Sequence, residues 1–92
     1  MVESHLEDII IRFSWHAENK FEVLARHGWP IDRVTVENAV QNPETLDHSR
    51  DPLVIAQTTL DVAHVLRVVY RKEGQNILII TFYPGRKNQY IK

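Results

Sequence analysis

Ninety-two residues carrying a net charge of −1 and no cysteine predict one domain with a single small core, and exclude both a disulfide framework and a thiolate metal site. The longest apolar runs, LVIA and ILII, fall far short of the roughly 20 residues needed for a helix to cross a bilayer. The opening MVESHLEDIIIRF begins acidic, without the basic flank of a signal peptide, so one soluble, cytoplasmic domain over residues 1–92 with no membrane contact is expected.

DIIIRFS is β-branched and apolar and reads as a first strand. The period then changes, and Ala17, Phe21, Leu24 and Ala25 fall on one face of a helix. Ser14 supplies its N-cap and Gly28 its C-terminal stop. Trp15 and Trp29 flank this helix and read as packing anchors. A second helix is expected after Asp32, its N-cap, with Pro43 ending it. Ile31 can staple onto Val36, and Val36, Ala39 and Val40 form the buried stripe.

ETLDHSRDP reads as a polar crossing, and LVIAQTTLD as a strand. HVLRVVYRKEGQNILIITFYP reads as two longer strands joined by a tight turn at 73–76, where Gly74 supplies a positive φ. Alternation puts Leu66, Val68 and Tyr70 on one face, with Tyr70 in the core, and Arg67, Val69 and Arg71 on the other. Leu78, Ile80 and Phe82 are set against Ile77, Ile79, Thr81 and Tyr83, apolar on both sides as a central strand requires. Helices followed by strands predict an α+β domain, two helices on one antiparallel sheet of about four strands. Pro84–Gly85 suits the centre of a type II turn. RKNQYIK would then form a short edge strand, with Arg86, Lys87 and Tyr90 swung back toward the sheet.

Charge is unevenly spread. Residues 1–61 hold five Lys/Arg against eleven Asp/Glu, and residues 62–92 hold six against one. A local basic face, rather than net charge, steers a phosphate backbone; the same side chains also solvate a sheet edge and discourage strand pairing. His5, His16 and His27 are evenly spaced, but two helical residues eleven apart lie about 16 Å from each other along the axis. One ion cannot bridge them, and neither metal nor cofactor is expected. His16 opens the first helix, where a histidine can serve as acid, base or phosphate contact, or as a plain surface residue.

The chain has no G-x-S-x-G, no Gly-rich phosphate loop and no cysteine nucleophile. Phosphoryl chemistry then requires a substrate that brings its own nucleophile, as RNA does with its 2′-hydroxyl. Such cleavage needs a base, cations on the phosphate, and an acid for the leaving oxygen. Arg67, Arg71, Arg86 and Lys87 are the candidate cations, with Tyr83, Tyr90 and His16 as candidate base stackers or proton carriers.

Taken together, WHAENKFEVLARHGWPIDRVTVENAVQNPE and HVLRVVYRKEGQNILIITFYPGRKNQY resemble a family of small prokaryotic domains similar to BrnT and, more distantly, to the RelE/ParE toxins. The resemblance runs from about Phe13 to Tyr90. It implies a RelE-like α+β fold, two helices on a curved antiparallel sheet, whose concave face and C-terminal segment bind RNA. It also implies a small antitoxin partner. On this pattern Arg67 is the arginine of LRVVY, Arg86, Lys87 and Tyr90 form the basic-Tyr tail, and His16 is the HA opener. The resemblance implies catalytic roles for His16, Arg67, Arg86 and Tyr90, and RNA contacts for Arg71, Tyr83 and Lys87. The chain departs from the pattern in its near-neutral charge and in having TFY where BrnT strands carry SAR. The alternative reading is a non-catalytic interaction module of the same fold, pairing through an exposed strand edge.

Overall fold

Ser14 decides how the chain enters its first helix. The computed structural model describes residues 9–90, so the expectations for His5 and for the tail beyond Tyr90 lie outside the described residues. Strand β1 (Ile11–Phe13) runs directly into α1 (Trp15–Arg26). At the junction the Ser14 N–H donates to the Ile79 carbonyl at 2.9 Å and its hydroxyl donates to the Ile80 carbonyl at 2.8 Å. The same oxygen accepts from the Ala17 N–H at 3.0 Å, so one side chain caps the helix and fastens it to a strand far along the sequence. Gly28, with φ of +86°, takes the left-handed conformation that closes α1. Asp32 caps α2 (Arg33–Gln41) by accepting from the Thr35 N–H at 2.8 Å.

Four further strands and a short helix follow: β2 (Thr45–Asp47), β3 (Leu53–Thr59), β4 (His64–Glu73), β5 (Asn76–Arg86) and α3 (Lys87–Tyr90). The sheet order is β1-β5-β4-β3-β2. The fold is α+β, as expected, but the sheet has five strands rather than four and is mixed. β1 lies parallel to β5, while the other pairs are antiparallel. The unforeseen strand is β2, inside the polar ETLDHSRDP. Its outer position demands little hydrophobicity, and pairing with Ile55–Gln57 supplies the hydrogen bonds. No described helix is long and apolar enough to cross a membrane.

Both long helices pack on one side of the sheet. Ala17, Leu24, Ile31, Val36, Ala39 and Val40 meet Val54, Ala56, Leu66, Val68, Tyr70, Ile77, Ile79 and Phe82. Ile31 and Val36 are buried together, as the staple requires, whereas Ala25 is exposed because it lies about 80° around the axis from Ala17. Trp29 packs against the core, but Trp15 stands 83% exposed and anchors nothing. The alternation expected for β5 also fails. The ladder steps from Val69↔Thr81 to Tyr70↔Ile79, leaving Ile80 as an extra residue. This bulge flips the parity, so Ile77 and Ile79 join Phe82 in the core in place of Leu78 and Ile80.

Pro84 and Gly85 make no turn. They continue β5, opposite Leu66 and Val65. The Lys87 N–H donates to the Ala63 carbonyl at 2.8 Å, and antiparallel alternation from there sets Pro84 at a non-hydrogen-bonded position. Its missing donor therefore faces the outer edge of β5 beyond β1, where proline is tolerated. The chain then turns into α3 instead of the expected edge strand.

Candidate functional site

Arg67 is the centre of the sheet face opposite the helices. Alternation along β4 sends Leu66 and Val68 into the core and Arg67 to the other side, yet the Arg67 residue is only 7% exposed. Its Nε donates to the Tyr83 hydroxyl at 3.2 Å, Nη1 to Gln57 Oε1 at 2.5 Å, and Nη2 to Asp47 Oδ2 at 3.0 Å. These partners sit on β5, β3 and β2, so one side chain ties four neighbouring strands together. Burial works against its charge, but Tyr83 and Asp47 more than offset this and keep it firmly protonated. Asp47 responds in kind: bonds from the Ser49 hydroxyl and N–H, followed by Arg67, lower its carboxyl to about 2.

The remaining face of Arg67 is covered by Tyr90, whose ring centroid lies 4.1 Å from the guanidinium carbon, a cation–π stack. α3 brings Tyr90 there by folding back across Gly85. A Cβ on Gly85 would meet Tyr90 Cε2 at 2.5 Å, so the glycine is needed for close approach. Tyr90 as a residue stays 39% exposed. It is an open aromatic platform with a cation beneath it, suited to stacking a nucleobase.

Arg86 and Lys87 occupy the adjoining rim. Arg86 is the ladder partner of His64, so both project to the helix side while Arg67 and Tyr90 lie on the opposite face. An open groove of about 440 Å³ separates the β3–β4 connection from the end of β5, lined by Val62, Ala63, His64, Arg86, Lys87 and Asn88. Arg86 has no ion-pair partner among the described residues. Lys87 lies near enough to Glu44 to help lower its carboxyl, after the larger effect of the Thr59 hydroxyl at 2.9 Å. Within the groove His64 Nδ1 lies 3.0 Å and 3.3 Å from the two Asp61 carboxylate oxygens. Asp61 also accepts from the Ala63 N–H at 2.8 Å, and that bond, then His64, lowers its carboxyl below the usual range. The Trp29 ring packs edge-on against the imidazole at 4.7 Å.

The fold thus gathers Arg67, Tyr83, Tyr90, Arg86 and Lys87 at one end of the sheet, divided between two faces. It does not bring His16 or Arg71 to them. His16 sits exposed at the start of α1, two residues after the Ser14 cap. Trp29, which reaches His64, follows the far end of that helix about 16 Å away. Arg71 lies on the face of Arg67 but four residues along β4, about 13 Å distant, and pairs with Glu73 at 2.9 Å. Glu73 also binds Arg12 at 2.6 Å, so the Arg71 guanidinium is held in a shared ion pair at the hairpin end, away from Arg67.

Sequence reasoning missed Asp47, Gln57, Asp61 and His64. The first two become visible only with register, since Gln57 stands directly opposite Arg67. The D-x-x-H spacing of Asp61 and His64 was legible, but nothing local marked it as more than a strand connection. No family model matches this chain, and no curated protein or solved structure matches it.

Proposed function

We propose that this chain is an RNA-binding domain of the RelE/BrnT kind, a metal-independent cytoplasmic endoribonuclease held in check by a small antitoxin protein. The observation that carries this reading is the convergence at one sheet end of the Tyr90–Arg67 stack with the consecutive cations Arg86 and Lys87 beside an open groove. A base stacks on Tyr90 while the backbone crosses the rim and places its phosphate against Arg86 and Lys87. Arg67 acts beneath that platform, holding Tyr83 and Tyr90 in place and lending positive charge, instead of gripping phosphate with free N–H groups. The exposed Trp15 offers a protein partner an aromatic anchor on the helix layer. The rival reading is a non-catalytic module of the same fold that pairs through an exposed strand edge; Pro84 removes a donor from the free edge of β5, which leaves the outer edge of β2 as the place for such pairing.

The test is cleavage of free and ribosome-bound message by pure protein with a chelator present, beside Arg86→Ala, Tyr90→Phe and Tyr90→Ala. Arg86→Ala should raise KM and flatten the salt dependence of binding. Tyr90→Phe keeps the platform and should retain activity that Tyr90→Ala loses. No cleavage of either RNA by the wild type, together with no growth arrest on expression, would remove the enzyme.

A further inference from the structure

The cations of this rim lack a base, since His16 lies at the wrong end of α1. We propose that His64, oriented by Asp61, is that base, and that the groove it shares with Arg86 and Lys87 receives the scissile phosphodiester. This rests on the RNA-cleaving reading above.

The tautomer follows from the contacts. An ionised carboxylate only accepts, so the ring nitrogen facing Asp61 at 3.0 Å carries a proton, and in the neutral ring, the form a base requires, the lone pair is then on Nε2. The pair is held rigidly. The His64 carbonyl accepts from the Leu60 and Asp61 N–H groups at 2.9 Å and 3.2 Å, and the His64 N–H donates back to the Asp61 carbonyl at 3.4 Å. With Ala63 N–H fixing the carboxylate and Trp29 edge-on to the ring, little side-chain freedom remains to be lost on binding. This is the arrangement by which a third group orients a base.

The cations are placed by the ladder. Directly opposed residues of an antiparallel pair have Cβ atoms roughly 4.5–5.5 Å apart, so Arg86, opposite His64, reaches the same volume as the imidazole. Lys87 follows it along the groove wall. The groove, about 440 Å³, is in the size range of small-ligand sites, roughly 300–1,000 Å³. The groups facing His64 are therefore Asp61 from its own turn, Trp29 from the connection between the long helices, and Arg86 and Lys87 from the end of β5. No carboxylate other than Asp61 makes an ion pair with His64 among the described residues.

The step balances without a co-reactant. The 2′-hydroxyl gives its proton to His64 Nε2, and the 2′-oxygen bonds to phosphorus. The bond from phosphorus to the 5′-oxygen breaks, and that oxygen takes a proton from solvent. The products are a 2′,3′-cyclic phosphate and a 5′-hydroxyl. Arg86 and Lys87 offset the charge that builds on the phosphoryl oxygens.

The experiment measures single-turnover and steady-state cleavage of RNA, with a chelator present, by wild type, His64→Ala, His64→Asn and Asp61→Asn. Loss of the base should lower kcat by about 100-fold or more with KM little changed, and added imidazole should restore part of the loss in His64→Ala. His64→Asn keeps a hydrogen-bonding side chain, so it serves if the alanine variant fails to fold. For Asp61, a positioning residue, long-range proton–nitrogen NMR of the ring should show the Nδ1–H tautomer in wild type and a mixture in Asp61→Asn. Wild-type cleavage with both His64 variants equally active overturns this proposal and leaves the cleaving reading standing. A wild type that cleaves nothing overturns both.

Discussion

Substituting Gly85 by Ala separates two explanations for a glycine beside a proline. A type II turn would need its left-handed backbone, so alanine would be strained there whatever its surroundings. In the structure Gly85 lies within β5 and its φ is outside the left-handed region, so the backbone accepts alanine. The obstacle is the Tyr90 ring, with Cε2 at 2.5 Å and Cδ2 at 3.1 Å from the new Cβ. Ordinary contact between carbons is about 3.5–4.0 Å, so the ring must retreat by about 1 Å and loosen its stack on Arg67. A cation–π pair that is partly exposed contributes about 0.5–1 kcal/mol. Against this, alanine lowers the entropy of the unfolded chain, stabilising by about 0.4–1 kcal/mol. Gly85→Ala should therefore change stability by less than about 1 kcal/mol while displacing Tyr90 and so weakening the RNA binding proposed above. Urea denaturation of Gly85→Ala, Tyr90→Ala and the double variant closes the cycle. With the ring already gone, Gly85→Ala should stabilise by about 0.4–1 kcal/mol. An equal loss above about 1 kcal/mol in both backgrounds would show that the backbone, not the ring, demands glycine, and the account of α3 would be wrong.

Two further outcomes follow from the Arg67 hub. Arg67→Met leaves Gln57, Tyr83 and Asp47 without their shared donor, and breaking a buried pair from one side costs about 3–5 kcal/mol. Because the Asp47 side chain is 36% exposed, the loss should fall near about 3 kcal/mol by urea denaturation, with an unchanged midpoint refuting the hub. The acid limb of stability should also carry Asp47. Its carboxyl is lowered from 3.8 to about 2 in the folded state, so the stabilisation is complete above 3.8 and is lost as pH falls toward 2. Asp47→Asn should flatten that limb in thermal unfolding between pH 4 and pH 2. Ser49→Ala and Arg67→Met should each raise the Asp47 carboxyl toward 3.8 and flatten the same limb; an unchanged limb in both would refute that assignment.

Local signals read well where chemistry is local. Ser14, Gly28, Asp32, Pro43 and Gly74 each satisfy a backbone need within a few residues, and the structure uses Ser14, Asp32, Gly28 and Gly74 as their types require. The apolar stripes of α1 and α2 and the alternation of β4 follow from periods of 3.6 and 2. Apart from the Pro84–Gly85 turn, a local expectation that the β4 ladder overrode, what failed was non-local. β2 becomes a strand only because β3 offers it partners, and the Ile80 bulge reverses the faces of β5 without any mark in ILII.

The candidate site divides the same way. Composition placed the cations and tyrosines in the last third of the chain, and five of the seven residues named from sequence do meet at one end of the sheet. Only the folded arrangement could show that Arg67 is spoken for by Asp47, Gln57 and Tyr83, that Arg71 is paired with Glu73, and that His64 rather than His16 stands beside Arg86. The sequence by itself determined the two long helices, β1 and the three long strands, and the stock of charged and aromatic groups, because caps, periods and composition act over a few bonds. The tertiary structure decided which of those groups share a surface, because strand register and a single bulge set facing across residues far apart in the chain.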